Sequence, residues 1–329
     1  MVIGIAIIRM KDLFAVVMLA GIYGLLSASF FVAMDAVDVA FTEAAVGAGI
    51  STLLMLVVIT MTGRKEKPTR HKPLSALFVV IITGGLLVYG TLDMPYFGSA
   101  DAPIHNHTSP RYINDSMQEI GVPNVVTSVL ASYRAFDTFG EVVVIFTAGI
   151  GVLAMLSVAR RKEDDEEIAS TNDSMHHQHL IVRIIAKMLI PFILLFALYV
   201  QFHGDFGPGG GFQAGVIFAA AIILYAMLFG LNTARKVINQ NFIQFIAAIG
   251  VLFYGSVGIV SLMNGGNFFD YNVLSNDPIA GQHLGILLIE WGVGCTVASV
   301  MVIIFFNFAG RRELSQHRKE SQNKESSTC

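Results

Sequence analysis

The chain reads as long apolar runs separated by short polar or charged segments, and the runs have the length of membrane spans. Roughly 20 successive apolar residues cross a bilayer as a helix. Eight stretches meet that test, at 13–34, 37–61, 74–92, 139–159, 186–203, 212–231, 241–263 and 284–308. The pattern predicts an all-α integral membrane protein with about eight transmembrane helices. Val2–Ile8 is too short to span and is the remnant or continuation of another helix. Arg9, Lys11 and Asp12 follow it directly, which does not suit a cleavable signal peptide.

The polar segments orient the runs. Arg64, Lys65, Lys67, Arg70 and Lys72 follow the second; Arg160, Arg161, Lys162 and Arg183 lie between the fourth and fifth. Arg235 and Lys236 follow the sixth, and Arg311 and Arg312 the eighth. Loops 93–138, 204–211 and 264–283 hold few cations. Lys and Arg accumulate on cytoplasmic loops, so both termini are expected in the cytoplasm, in a multi-pass protein of the cell inner (plasma) membrane. The stretch 160–185 is a charged cytoplasmic linker between two four-helix modules, 1–159 and 186–310, and 311–329 is expected to be a disordered polar tail. His176, His177 and His179 in the linker read as a solvated tract, with no further ligand at metal-site spacing. Loop 93–123 reads as irregular. Residues 124–136 read as an amphipathic helix in the membrane interface, with Val125, Val129 and Phe136 set against Thr127, Ser128, Ser132 and Arg134.

Composition agrees and removes other classes. The chain is 54% hydrophobic and 14% charged, with a mean hydropathy of +0.65, which is not the balance of a soluble domain. A net charge of −3 offers no basic surface for nucleic acid. Cys295 and Cys329, the two cysteines, make neither a disulfide framework nor a cysteine zinc site.

Candidate chemistry lies where polar groups interrupt the apolar runs. Gln201 to Gly215 is a glycine-rich break containing Pro208, His203, Asp205 and Gln213. Non-helical backbone and ionisable groups at membrane depth are costly in lipid, so they face protein or water and mark ion paths. The stretch Gly209 to Ala214 formally fits the dinucleotide pattern, but no strand precedes it, and a phosphate loop would need a Gly-Lys-Ser/Thr ending. Asp35 and Asp38 open the second span; Glu43 stands roughly 12 Å further along the axis. A carboxyl at that depth suits loading and unloading a proton, or a structural bond to a neighbouring subunit. Arg134, Asp137 and Glu141 share a helix face; an interfacial Arg134–Asp137 salt bridge is expected, leaving Glu141 as the better ion-path candidate. His283 and Glu290 share a face of the last helix, with Trp291 beside them as an interface anchor, and Lys187 is expected to snorkel.

These residues resemble a known family. Gly204-Asp-Phe-Gly-Pro-Gly-Gly-Gly-Phe-Gln-Ala-Gly215, with His283-Leu-Gly and Glu290-Trp-Gly-Val-Gly, is similar to the MnhB-like subunit of Mrp-type multisubunit Na+/H+ antiporters over about 186–310. Met34 to Gly49 and Asn124 to Glu141 resemble the C-terminal region of the large subunit of those complexes. Similar modules occur in membrane-bound hydrogenases. The resemblance implies an MnhB-like subunit fused to the tail of the large one. It implies a membrane subunit of a cation/proton antiporter driven by the proton motive force, and a transporter rather than an enzyme. Its partners would be the other complex subunits, the lipid bilayer, and Na+ and H+ as transported ions. Glu43 and Glu141 match acids that the family associates with ion translocation. Glu290, Asp38, Asp137, His203 and Asp205 complete the candidate path, and no cofactor or metal is implied. The antiporter domain of the large subunit is absent from this chain, which puts independent antiport in doubt. Two other classes stay open: a subunit of an energy-converting hydrogenase or other complex I relative, and a structural scaffold.

Overall fold

The computed structural model describes residues 2–66, 73–96, 98–156 and 180–328. The secondary structure of the described residues is helical, without a strand, and eight helices are long and apolar enough to cross a membrane. We number them in chain order together with the short helices Val2–Arg9 and Leu231–Val237: α1 Val2–Arg9, α2 Leu13–Ala33, α3 Val37–Thr62, α4 Pro73–Thr91, α5 Ala135–Leu156, α6 Leu180–His203, α7 Gly211–Phe229, α8 Leu231–Val237, α9 Gln240–Met263 and α10 Pro278–Thr328. The expected spans are all present. The linker histidines and Arg160, Arg161, Lys162, Lys67, Arg70 and Lys72 lie outside the described residues.

The helix α10 is the axis of the bundle. It packs against α3, α5, α6, α7 and α9, so one buried core draws residues from both halves of the chain, Ile50, Val142, Val216, Tyr254 and Phe306 among them. Lipid tails are as apolar as Leu, so close approach at small residues, rather than water exclusion, holds such helices together. Gly250 and Gly292 face each other between α9 and α10: a Cβ on Gly292 would lie 2.8 Å from the Gly250 carbonyl oxygen. On α7, a Cβ on Gly215 would lie 2.8 Å from the Gly294 carbonyl. Cross-helix hydrogen bonds add register: Tyr254 Oη donates to the Ala135 carbonyl at 2.9 Å, and Ser132 Oγ donates to Gln282 Oε1 at 2.7 Å. By contrast, none of the described side chains of α4 is buried.

The two ends of the bundle differ in chemistry. At one end Leu13 N–H donates to the Arg64 carbonyl at 2.8 Å, and Arg64 pairs with Asp12 at 3.0 Å. Arg235, on α8, donates from Nη2 to the Phe306 carbonyl of α10 at 3.0 Å. Arg64, Lys65, Arg235 and Lys236 thus gather at this end. The opposite end carries Asp38, Asn124, the glycine-rich turn and the start of α10.

Four expectations need correction. Residues 124–136 are not one interfacial helix: Val125–Thr127 is α-helical, Ser128–Tyr133 is wound as a π-helix, and the chain breaks at Arg134 before α5. Its faces are reversed at four positions, with Thr127 and Ser128 buried and Val125 and Phe136 exposed, while Arg134 stays outward. Buried carbonyls at this end need donors, and the hydroxyls turn inward to supply them while the apolar side chains face out. The loop 93–123 is only partly irregular, with π-helical turns at Ile104–Thr108 and Arg111–Asp115 and an α-turn at Ser116–Glu119. The linker ends earlier than residue 185, because α6 begins at Leu180. The polar tail is a continuous extension of α10 through Thr328, in keeping with the helix propensity of its Arg, Glu, Leu, Gln and Lys residues.

Candidate functional site

The glycine-rich turn is held down by residues from the first half of the chain. Asp38, in the first turn of α3, accepts from Gly209 N–H through Oδ1 at 3.1 Å and from Asn124 Nδ2 through Oδ2 at 3.2 Å. The Asn124 amide also donates to the carbonyls of Gly204 and Gly207, both at 3.0 Å, and its backbone N–H donates to the Asp205 carbonyl at 3.0 Å. Thr127 Oγ1 donates to the Gly204 carbonyl at 2.7 Å. A turn rich in backbone groups and poor in side chains is thereby satisfied by protein donors and acceptors. Asn124 and Thr127 were missed as functional candidates; their signal was polar residues at the start of an apolar stretch, which also describes an ordinary helix cap.

Beneath the turn lies a cavity of about 310 Å³ between α3, α5, α7 and α10. Three carboxyl-bearing residues line it, Asp38, Glu141 and Glu290, with Thr42, Gln213 and Thr138. Gln213 Nε2 donates to Thr42 Oγ1 at 2.9 Å. The lid is glycine: a Cβ on Gly204 would lie 3.1 Å, and one on Gly210 3.0 Å, from Glu290 Oε1. Gly210 has φ +116° and ψ 177°, a conformation open in practice to glycine alone. The turn is therefore glycine-rich because backbone must pass directly over a carboxylate. A larger cavity of about 480 Å³ between α6, α7, α9 and α10 is lined almost wholly by apolar groups and holds none of these acids.

The remaining candidates are dispersed. Glu43 points away from the cavity: its Oε1 lies against Gly47 and 3.2 Å from where a Cβ on Gly24 would stand, in the α2–α3 contact. It sits where α3 passes into the π-helical stretch Ala44–Ile50, a winding that recurs at functional sites. Asp137 forms the expected salt bridge with Arg134, at 2.6 Å and exposed on both sides, and the carboxylate beside Arg134 raises the guanidinium's pKa further. His203 stacks on Tyr199 with ring centroids 4.9 Å apart. Asp205 reaches up to His283, with 3.4 Å between Oδ2 and Nδ1. Close by, Tyr271 is fully buried against α10, and burial pushes its phenol pKa above the ordinary value. Among the described residues no cluster of three or more His, Cys, Asp or Glu has metal-site geometry.

Known proteins share this architecture. A family model described as a domain related to the MnhB subunit of the Na+/H+ antiporter matches residues 181–303. Models of two subunits of MBH, MbhD and MbhE, match 1–64 and 76–173. A probable K+/H+ antiporter A/B subunit of Rhizobium meliloti is 24% identical over 94% of this chain, which spans about a third (33%) of that relative. The putative antiporter subunit mnhB2 of Staphylococcus aureus is 30% identical over 42% of this chain and 99% of its own length. Among solved structures, a chain of the Mrp complex from Dietzia superposes with a TM-score of 0.70 at 24% identity, covering 94% of this chain and 34% of that one. A chain of an archaeal membrane-bound sulfane sulfur reductase superposes with a TM-score of 0.51 at 26% identity, over 72% of this chain and 97% of its own. The second half of the chain matches a whole antiporter subunit, the first half matches models of MBH subunits D and E, and one relative spanning both halves is an A/B subunit; the protein belongs to the MnhB subunit family, in a form fused to part of the large antiporter subunit.

Proposed function

We propose that the chain is a membrane subunit of a multisubunit monovalent cation/proton antiporter and that the cavity under the glycine turn is its ion-handling site. The observation that carries the reading is the convergence of Glu290, Glu141 and Asp38, from three different helices, on one cavity beneath the glycine turn. Acids that share a cavity and are not all committed to fixed donors suit the exchange of a proton for a cation. Their roles differ. Asp38 already accepts two hydrogen bonds and anchors the turn, whereas Glu290 and Glu141 are the groups free to load. Glu43, at the π-helical stretch of the α2–α3 contact, and Asp137 would act at the interface with neighbouring subunits. The turn, with Asp205 and His203, caps the path.

The cationic end of the bundle would face the cytoplasm and the glycine turn the outside, in the cell inner membrane. The driving force would be the proton motive force, one charge across 100 mV being worth roughly 2.3 kcal/mol. The partners are the other subunits of the complex, the bilayer, and the transported H+ and Na+ or K+. The division into two modules, one on each side of the linker before α6, is part of the same reading. The test is Glu290→Gln and Glu141→Gln, made separately in the assembled complex and assayed for cation/H+ exchange in vesicles. Exchange at the wild-type rate by both assembled variants would sink the proposal. A second reading, membership of a redox-driven complex, is favoured by the MbhD and MbhE matches and the sulfane sulfur reductase likeness. It predicts that cation movement needs an electron donor, and the antiporter reading predicts that it does not.

A further inference from the structure

We infer that His283, held by Asp205, is the port through which protons pass between outside water and Glu290. The inference rests on the antiporter reading above and adds a residue and a direction to it. His283 stands near the start of α10 on the face that carries Glu290, seven residues further on and so roughly 10 Å along the axis. Its side chain is 37% exposed, and that of Asp205 is 21% exposed, so the pair sits between solvent and the bundle interior. Below it the covering is the glycine turn. Asp205 adjoins Gly204, and Gly204 and Gly210 pass directly over Glu290 Oε1 with no side chain between. A side-chain-free strip of backbone thus separates a solvent-exchanging imidazole from the innermost carboxylate of the cavity.

The other charged and titratable groups around the port have different partners. Asp38 is occupied by Gly209 and Asn124. Asp277 accepts from Ile279 N–H at the start of α10. Tyr271 packs on Gly285, two residues further along α10, and Gly121 closes over the His283 ring. His203 is turned to Tyr199 and Gly207 and does not meet the acids. The step is a proton transfer and nothing more: His283 takes a proton from outside water on an imidazole nitrogen. That proton is relayed by water entering beneath the glycine turn to the Glu290 carboxylate, returning His283 to the neutral form and leaving Glu290 as the carboxylic acid. Asp205 accepts from Nδ1–H and fixes the ring while the exchange occurs.

The test uses the assembled complex in proteoliposomes, with outside and inside pH varied independently. His283→Gln is expected to slow exchange by roughly 100-fold and to abolish its dependence on outside pH while dependence on inside pH persists. In His283→Ala, imidazole added outside is expected to restore part of the rate, which a purely structural histidine would not allow. An unchanged outside-pH profile in H283Q, or no response of H283A to imidazole, overturns the inference. Failure of both variants to assemble makes His283 structural and overturns it equally. Glu290→Gln separates the two levels: if it still exchanges, the cavity reading is wrong; if it is dead while H283Q keeps the wild-type pH profile, only the port is wrong.

Discussion

Replacing Gly210 by alanine strikes the turn and the cavity at once. The backbone at Gly210, with φ +116° and ψ 177°, lies in a region that costs a residue bearing a Cβ about 1–3 kcal/mol. That cost lowers the local population of the native turn by roughly 5- to 150-fold. A second penalty acts in the same direction, because the new methyl group would stand 3.0 Å from Glu290 Oε1, inside ordinary contact distance, and would displace the carboxylate. Gly265 supplies the control. Its φ is also positive, at +86°, but a Cβ there meets nothing within 4 Å, so Gly265→Ala carries backbone strain alone. Thermal unfolding can be followed through Trp291, the single tryptophan of the chain, and cation/H+ exchange can be measured in vesicles. Both variants should unfold at lower temperature than wild type, and G210A alone should lose at least about 10-fold in exchange, the equivalent of about 1.4 kcal/mol at Glu290. If G210A matches G265A in both assays, the close passage of the turn over Glu290 has no functional weight and the reasoning fails.

Other consequences follow from the same contacts. Asn124→Ala removes the two amide protons shared among Asp38, Gly204 and Gly207, at about 1 kcal/mol per proton; denaturation in detergent should show a loss of roughly 2 kcal/mol, and a loss below about 0.5 kcal/mol would contradict the clamp. Thr127→Val, nearly isosteric, strips one of the two donors from the Gly204 carbonyl and should cost about 0.5–1.5 kcal/mol, whereas Val125→Thr on the exposed face should cost little. The guanidinium of Arg64 holds the Asp12 carboxyl below its usual pKa, so their clamp is fully present above the ordinary value and lost as pH falls through the lowered one. Hydrogen exchange at the Leu13 and Glu66 amides should therefore accelerate below about pH 4, and Arg64→Ala should accelerate it already at neutral pH. Burial, then the hydrogen bond to Glu119, pushes the Tyr133 phenol up to about 12. Glu119→Gln should bring that titration down in an ultraviolet difference experiment against Tyr133→Phe, and an unmoved titration would leave burial as the whole cause.

Much of the protein was legible in one dimension. A membrane span is a local property, about 20 apolar residues in sequence, and each of the eight expected spans is a helix. The glycine run at 204–215 announced both a break between two helices and the family, because those residues answer to constraints that few side chains meet. The last helix was legible as apolar but not as the axis of the bundle, since its partners are chosen by glycine-to-glycine fit with α7 and α9. The faces of 125–136 were misread for a related reason. In water an amphipathic stretch turns its polar side outward, but against lipid the polar side turns in, towards carbonyls supplied by a loop some 80 residues away.

The candidate acids divide along the same line. Sequence alone determined that Asp38, Glu43, Glu141 and Glu290 lie within or at the ends of apolar runs, because depth along a helix is counted at a fixed rise per residue. It could not determine which of them meet. Only the tertiary structure turned Glu43 away, against Gly24 and Gly47, and brought Asp38, Glu141 and Glu290 to one cavity. Where a side chain stands around its helix has meaning only once the neighbouring helices are placed, and that placement is set by contacts between residues far apart in the chain.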